Sequence, residues 1–384
     1  MRQTQIPALD ALIAAATSIN NPYLEKAKQE HRPIVGLFYQ DLPEEVLSAA
    51  GCVPVMMRGT GATGTEFAEA YFRQLTCNYT RCTFNQIIEG KWDFLDAAVL
   101  FNNCDHMRRI YDNWKLLPNN KVYHFFYAPK KGGELPEQFF GQELDKFIEA
   151  TEKRFDLKIT EEKLLAAIKL HNRTRLLQQQ IYALQKGPEV HLTGTELLLV
   201  MLAGVSMPRE DYNQLLEELI TALKASHETM KPKVRLLYTG GHVDNRKFFE
   251  LLEQNGAQVV VDSVAFGTRS CEVLVDETLP AKEALCRYYM RERPMSPRNF
   301  GEQAARKERL GRLVNDYAVD GVVMVRVSMC DLWAMEQFMT RDYLQQKDIP
   351  LLELEVDYLP EGFGQIATRV QAFIESIKAQ ADHS

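Results

Sequence analysis

The sequence predicts an α/β protein: two similar doubly wound parallel-sheet lobes joined by an all-helical segment. Three observations predict it. Short apolar runs, such as those within 97–106 and 321–327, have the length and composition of strands buried on both faces. These runs alternate with helical stretches, which implies parallel strands with right-handed crossovers. The order of elements near the N-terminus returns near the C-terminus, and between them the pattern is helix only. The boundaries expected from these shifts are 1–135 for the first lobe, 136–230 for the helical bridge and 231–384 for the second lobe.

In chain order, residues 1–30 read as a helical arm. The run 33–39 is the first strand, and Pro43 starts a helix that Gly51 ends, Pro being tolerated at a first helical position. A strand over 52–56 leads into Arg58-Gly59-Thr60-Gly61-Ala62-Thr63-Gly64, which lacks the Gly-Lys-Ser/Thr of a phosphate-binding loop and reads as a flexible turn. Cys77 precedes a helix reaching about Glu89. The strand beginning at Ala97 runs into Cys104 and Asp105 before the next helix, and 122–126 closes the lobe.

In the bridge, Leu164, Leu165, Ile168, Leu176, Leu177 and Ile181 recur at helical spacing. Pro188 and Gly194 break it, and Pro208 begins another helix. The second lobe has strands at 234–241 and 259–262, a helix stopped by Gly256, and a helix through Leu285 and Tyr289. Another helix reaches about Tyr317, and the strand from Gly321 runs into Cys330 and Asp331. A helix from Leu332, a strand over 349–354 and a helix over about 364–378 complete it.

With 384 residues, the chain exceeds one ordinary hydrophobic core. Its 46% hydrophobic and 25% charged residues are those of a globular protein. The 45 basic and 52 acidic residues leave a net charge of −7, which argues against a general nucleic-acid binder. No apolar run approaches the roughly 20 residues of a membrane span. Nothing at Met1-Arg2-Gln3-Thr4-Gln5 has the basic and apolar regions of a signal peptide, so a cytoplasmic location is expected. Seven cysteines, an odd number, fit thiols better than a disulfide framework.

The repeated strand-Cys-Asp-helix device singles out Cys104 and Cys330. Ligands of open parallel sheets bind beyond the carboxyl ends of the strands. A thiol there faces a cleft, and the helix that follows offers free N–H groups that should lower its pKa. Asp105 and Asp331 are expected as N-caps. Cys77, ahead of a helix carrying Asn78 and Arg81, is the third candidate; Cys82 lies too far round that helix, and Cys52, Cys271 and Cys286 read as core or surface residues. No Cys-x-x-Cys pair supports a zinc ribbon or thioredoxin-like site. Scattered thiols suit an iron–sulfur cube assembled by tertiary structure, and three of them leave one iron open.

Across nearly the whole chain the sequence resembles the 2-hydroxyacyl-CoA dehydratase and benzoyl-CoA reductase subunits. The resemblance is carried by Pro43-x-Glu45, Ala50-Gly51-x-x-Pro54-Val55, Cys77, Asn103-Cys104-Asp105 with Arg108-Arg109, and Gly267-x-Arg269. Further matches are Val319-Asp320-Gly321-Val322, Cys330-Asp331, Asp357-Tyr358 and the run from Gly364 through Arg369 to Glu375. It implies that Cys77, Cys104 and Cys330 hold a [4Fe–4S] cluster. It also implies a second homologous subunit, in a heterodimer or a homodimer, and a separate ATP-dependent iron–sulfur activator that injects one electron. The activity implied is that of a lyase: an (R)-2-hydroxyacyl-CoA loses water through a ketyl radical to give an enoyl-CoA.

Tyr39-Gln40 stands where many substrate-binding relatives carry cysteine or serine, and Arg58-Gly59-Thr60 lacks an expected acid. Both departures point to the smaller, beta-type partner. They leave two alternatives, an electron-transfer or scaffold subunit and an ATP-dependent reductase using the same cluster. No extra cysteine stands near Ala265-Phe266-Gly267 or Glu292-Arg293-Pro294, which weighs against a double-cluster branch. His106, Arg108, Arg109, Arg269 and Arg369 are candidates to meet a thioester or CoA phosphates.

Overall fold

The structure, a computed structural model, describes residues 5–38, 41–226, 228–242, 244–359 and 363–382. Two helices, α1 (Pro7–Thr17) and α2 (Pro22–Gln29), precede the first sheet. Asn21 caps α2 by accepting from the amides of Tyr23 and Leu24, and its own amide reaches the Ser206 carbonyl at 2.8 Å. The first lobe then runs β1 (Ile34–Leu37), α3 (Glu44–Ala49), β2 (Val53–Met56), α4 (Asn78–Ile88), β3 (Ala97–Phe101), α5 (Asp105–Trp114) and β4 (Val122–Phe126). Four helices follow: α6 (Glu134–Phe155), α7 (Glu161–Ala183), α8 (Gly194–Ala203) and α9 (Arg209–Ala225).

The second lobe runs β5 (Val234–Gly240), α10 (Arg246–Gln254), β6 (Ala257–Ser263), α11 (Thr268–Cys271) and α12 (Ala281–Arg287). It ends with α13 (Gln303–Asp316), β7 (Gly321–Val327), α14 (Asp331–Gln345), β8 (Leu351–Val356) and α15 (Phe363–Asp382). Both sheets are wholly parallel, in the orders β2-β1-β3-β4 and β6-β5-β7-β8. These two orders are the same when the strands are matched in sequence, so the internal repeat read from the chain is a repeat of topology. Each order reverses direction between its first and third strands, and there the carboxyl ends open a crevice. Cys104 follows β3 and Cys330 follows β7, one at each reversal.

Strands β1, β2, β3 and β5 are buried along their whole length, as expected of parallel strands covered on both faces. The edge strand β8 alternates instead, turning Leu352, Leu354 and Val356 inward. Helix α7 packs on α3 of the first lobe and on α11 and α12 of the second, while α1 lies against α8 and α9. Buried ion pairs fasten the same joint: Arg175 meets Glu45 at 2.6 Å, and Arg209 meets Glu44.

Several local expectations are corrected. Gly194 opens a helix rather than breaking one, because Thr193 and Glu196 form a reciprocal capping box around it. Pro43 stands at the N-cap of α3, one position before the first helical residue. The helix through Leu285 and Tyr289 is α12 widening into a π-helical turn over Tyr288–Glu292, and the four-residue α11 had no periodic signal to announce it. The loop after β2 is no flexible turn at its start. Arg58 is buried against Asp244 at 2.6 Å, and a Cβ on Gly59 would stand 2.4 Å from the Tyr358 ring. Tyr39 and Gln40 lie outside the described residues.

Candidate functional site

Three helix N-termini converge where the lobes meet. Cys77, Cys104 and Cys330 are the N-cap residues of α4, α5 and α14, and none of the three side chains caps its helix. Serine or aspartate at an N-cap turns back to bond the first amides. Here the sulfur is instead available to a cavity lined by Cys77, Cys104 and Cys330 together with Thr80, Asn103, Met107, His242, Val327 and Trp333. The space amounts to about 530 Å³ counting its mouth. Asp105 and Asp331, expected as caps, are the first helical residues instead, where they favour the helix dipole without a capping bond.

The surrounding contacts fix the thiols. The Cys77 amide donates to His106 Nδ1 at 3.3 Å, tying the start of α4 to the first turn of α5. Thr80 Oγ1 lies 3.3 Å from the Cys77 sulfur. Asn78 donates to Asp357 of the second lobe at 2.5 Å, and the Tyr79 ring meets Tyr358 at 5.3 Å and His242 at 4.7 Å. Helix α4 is thus held from both sides. Turning the chain from β7 into α14 places Met329 at φ +65°, a backbone state uncommon for a residue with a side chain.

The thiol pKa values run opposite to the sequence-based expectation. Burial, then the neighbouring Cys77, pushes Cys104 and Cys330 up to about 12, and burial also raises Cys77. Amides of His106 and Met107 favour the Cys104 thiolate, and that of Trp333 favours Cys330, but desolvation and mutual repulsion outweigh them. A bound metal reverses this balance, because coordination removes the thiol proton.

The donor set fits an iron–sulfur cluster. Three thiols come from separate elements, no carboxylate is among the described lining residues, and main-chain amides point at the sulfurs of Cys104 and Cys330. Among the described residues no three His, Cys, Asp or Glu side chains form a site for a single metal ion. A polynuclear group asks for a wider set, with each thiolate on a different iron.

Cys52, Cys82, Cys271 and Cys286 are all buried core residues that line no part of this cavity. Arg108 and Arg109 are exposed and pair with Asp105 and Asp112 on their own helix, and Arg369 donates to the Glu353 carbonyl. Arg269 is deeply buried elsewhere. The cavity also contains residues that sequence reasoning missed: Ser296, Pro297 and Arg298, from the irregular segment before α13, and His242, from the turn after β5. The first three had no spacing to reveal them. His242 had one available signal, its place just beyond a strand that matches β1 in the repeat.

Among the described residues, no helix is long and apolar enough to cross a membrane. The profile of the family described as 2-hydroxyglutaryl-CoA dehydratase, D-component, matches residues 41–377. The putative dehydratase subunit YjiM of Escherichia coli (strain K12) is 28% identical, the match covering 97% of this chain and 99% of that protein. A benzoyl-CoA reductase subunit from Thauera aromatica is 24% identical over 92% of this chain and 93% of its own. The (R)-phenyllactyl-CoA dehydratase beta subunit from Clostridium sporogenes is 23% identical over 94% and 96%. With a match that covers most of the chain, including all three pocket cysteines, this chain belongs to the 2-hydroxyacyl-CoA dehydratase and benzoyl-CoA reductase subunit family.

Proposed function

We propose that this chain is the beta-type subunit of a 2-hydroxyacyl-CoA dehydratase, a hydro-lyase, and that Cys77, Cys104 and Cys330 hold its [4Fe–4S] cluster. The observation that carries the reading is the meeting of three thiols from both lobes in one cavity, each at a helix N-terminus. The division into lobes 1–135 and 231–384 with a bridge 136–230 belongs to the same proposal. When bound, the cluster supplies one-electron chemistry and an open Lewis-acidic iron.

This chain's residues hold, shield and orient. Met107, Val327, Leu332 and Trp333 wall the thiols with apolar surface, and the amides of His106 and Met107 favour negative charge on Cys104 as that of Trp333 does on Cys330. His106 fixes the Cys77 backbone. The proposed overall reaction takes an (R)-2-hydroxyacyl-CoA to an enoyl-CoA and water. The hydroxyl leaves C2 and the proton leaves C3, which becomes acidic beside a ketyl radical. One electron, lent by an ATP-dependent activator and returned after each turnover, leaves no net oxidation. The complex would also contain a second homologous subunit.

Anaerobic purification should yield brown protein with roughly four irons per chain. Cys104→Ser should lose most of that absorbance. Protein that stays colourless and iron-free after anaerobic cluster reconstitution would refute the proposal. The similarity to a benzoyl-CoA reductase subunit favours one second reading, a reductase or electron-relay subunit. Co-purification with partner and activator, followed by an acyl-CoA screen, separates the two. Enoyl-CoA formed without net consumption of reductant supports the dehydratase, and stoichiometric reduction of an aryl-CoA supports the reductase.

A further inference from the structure

Thr80, at the third position of α4, is fully buried. Its hydroxyl lies 3.3 Å from the Cys77 sulfur and has no other hydrogen-bond partner among the described residues. A helical threonine ordinarily turns its hydroxyl back to the carbonyl one turn earlier, as Thr83 does to Tyr79 at 2.9 Å on the same helix. At Thr80 the sulfur takes that carbonyl's place. A buried hydroxyl that donates to nothing is costly, so this sulfur is the acceptor the fold has left it. While Cys77 is a thiol, either atom can donate. Once the sulfur gives up its proton to bind a metal it can only accept, and the hydroxyl becomes the donor of a charge-assisted bond.

The other two thiols have no such neighbour. Main-chain amides of His106 and Met107 favour negative charge on Cys104, and that of Trp333 favours it on Cys330. Cys77 has the Thr80 amide and, alone of the three among the described residues, a side-chain hydroxyl as well. Arg81 and Asp331 act on the same sulfur in opposite senses through space, and neither bonds it. Hydrogen bonds to the sulfurs of an iron–sulfur cluster stabilise the extra negative charge of its reduced state, which raises the reduction potential. We propose that Thr80 is a positioning residue of the thiol cavity: donating to the Cys77 sulfur, it raises the potential of the cluster held there and eases its one-electron reduction. One electron passes from an external one-electron donor into the cluster, no bond is made or broken, and Thr80 keeps its proton. Thr80 acts through Cys77. The inference rests on the cluster reading above and deepens it.

The test uses the full-length chain, loaded anaerobically with iron and sulfide, as parent, Thr80→Val, Thr80→Ala and Thr80→Ser. Valine keeps the shape of threonine without the hydroxyl, and serine keeps the hydroxyl without the methyl. Alanine removes the same bond without setting a methyl against the sulfur. Dye-mediated potentiometry followed by electron paramagnetic resonance reads the midpoint potential, and iron content is measured on the same samples. Thr80→Val and Thr80→Ala should lower the one-electron reduction constant by a factor of roughly three to ten, the upper figure being about 59 mV. Thr80→Ser should restore the parent potential. A parent that takes up no iron sinks the cluster reading and this inference together. With an iron-loaded parent, unchanged potentials in Thr80→Val and Thr80→Ala sink this inference alone. So does a fall in Thr80→Ser as large as in Thr80→Val, which would trace the effect to packing. Loss of iron from both hydroxyl-free variants, with Thr80→Ser loaded, would make the hydroxyl a requirement for assembly rather than a control on potential, and would also overturn it.

Discussion

Glu45 illustrates how a family motif residue can serve the joint rather than the chemistry. It is fully buried, meets Arg175 at 2.6 Å and accepts from the Tyr289 hydroxyl at 3.0 Å, linking α3 to α7 and to the turn after α12. Burial alone would raise its pKa, but Arg175 and His171 outweigh it and hold the carboxyl at about 2. Glu45→Gln leaves Arg175 buried without its counter-ion and should cost roughly 3–5 kcal/mol, read from urea unfolding. Buried histidines set a second prediction. Burial lowers His171 to about 3 and His124 to about 4, from an ordinary value of 6.5. Between pH 6.5 and those values the unfolded chain takes up protons that the native chain refuses. Stability should therefore fall with acidification from about pH 6.5, by about 1.4 kcal/mol per pH unit for each histidine, and Glu45 should add to the loss below about pH 4.5. A stability profile flat from pH 7 to pH 5 would contradict this.

At the scale of elements, the strand-Cys-Asp-helix device was legible because a buried strand ending in a thiol has few other uses for its position. The capping role was not. The sequence places Asp105 and Asp331 correctly beside the helix starts, but the backbone begins each helix at the aspartate and leaves the cysteine at the cap. One residue of register decides which side chain enters the cavity, and no local preference fixes that. Close packing of β5 on β7 gives a testable element-scale claim. Gly240 has φ +139°, and a Cβ there would stand 1.9 Å from the Val325 carbonyl oxygen. Gly240→Ala should cost roughly 3 kcal/mol or more and should disturb the turn that carries His242, visible as a lower melting temperature. The short α11, which carries Arg269, escaped detection because a four-residue helix has no period to read.

For the whole molecule, the joint between the lobes is polar as well as apolar. Arg58 and Asp244 form a buried pair at 2.6 Å, and Arg58 also reaches the Ala16 carbonyl at 2.8 Å and the Ser206 hydroxyl at 3.1 Å. Arg58 and Asp244 hold the loop after β2 and the turn after β5 together. Asp244→Asn should loosen that joint, giving faster limited proteolysis between the lobes and a lower melting temperature. An unchanged digestion pattern would show that the aromatic contacts of Tyr79 suffice. Periodicity and apolar runs were enough to determine two α/β lobes, a helical stretch between them and thiols at two strand ends, because those features are written in neighbouring residues. Only the tertiary structure decided that the three thiols line one cavity and that His242 and Arg298 wall it with them. Such convergence depends on how two sheets face each other across hundreds of residues, and on how far burial outweighs a helix dipole, neither of which any local stretch of chain encodes.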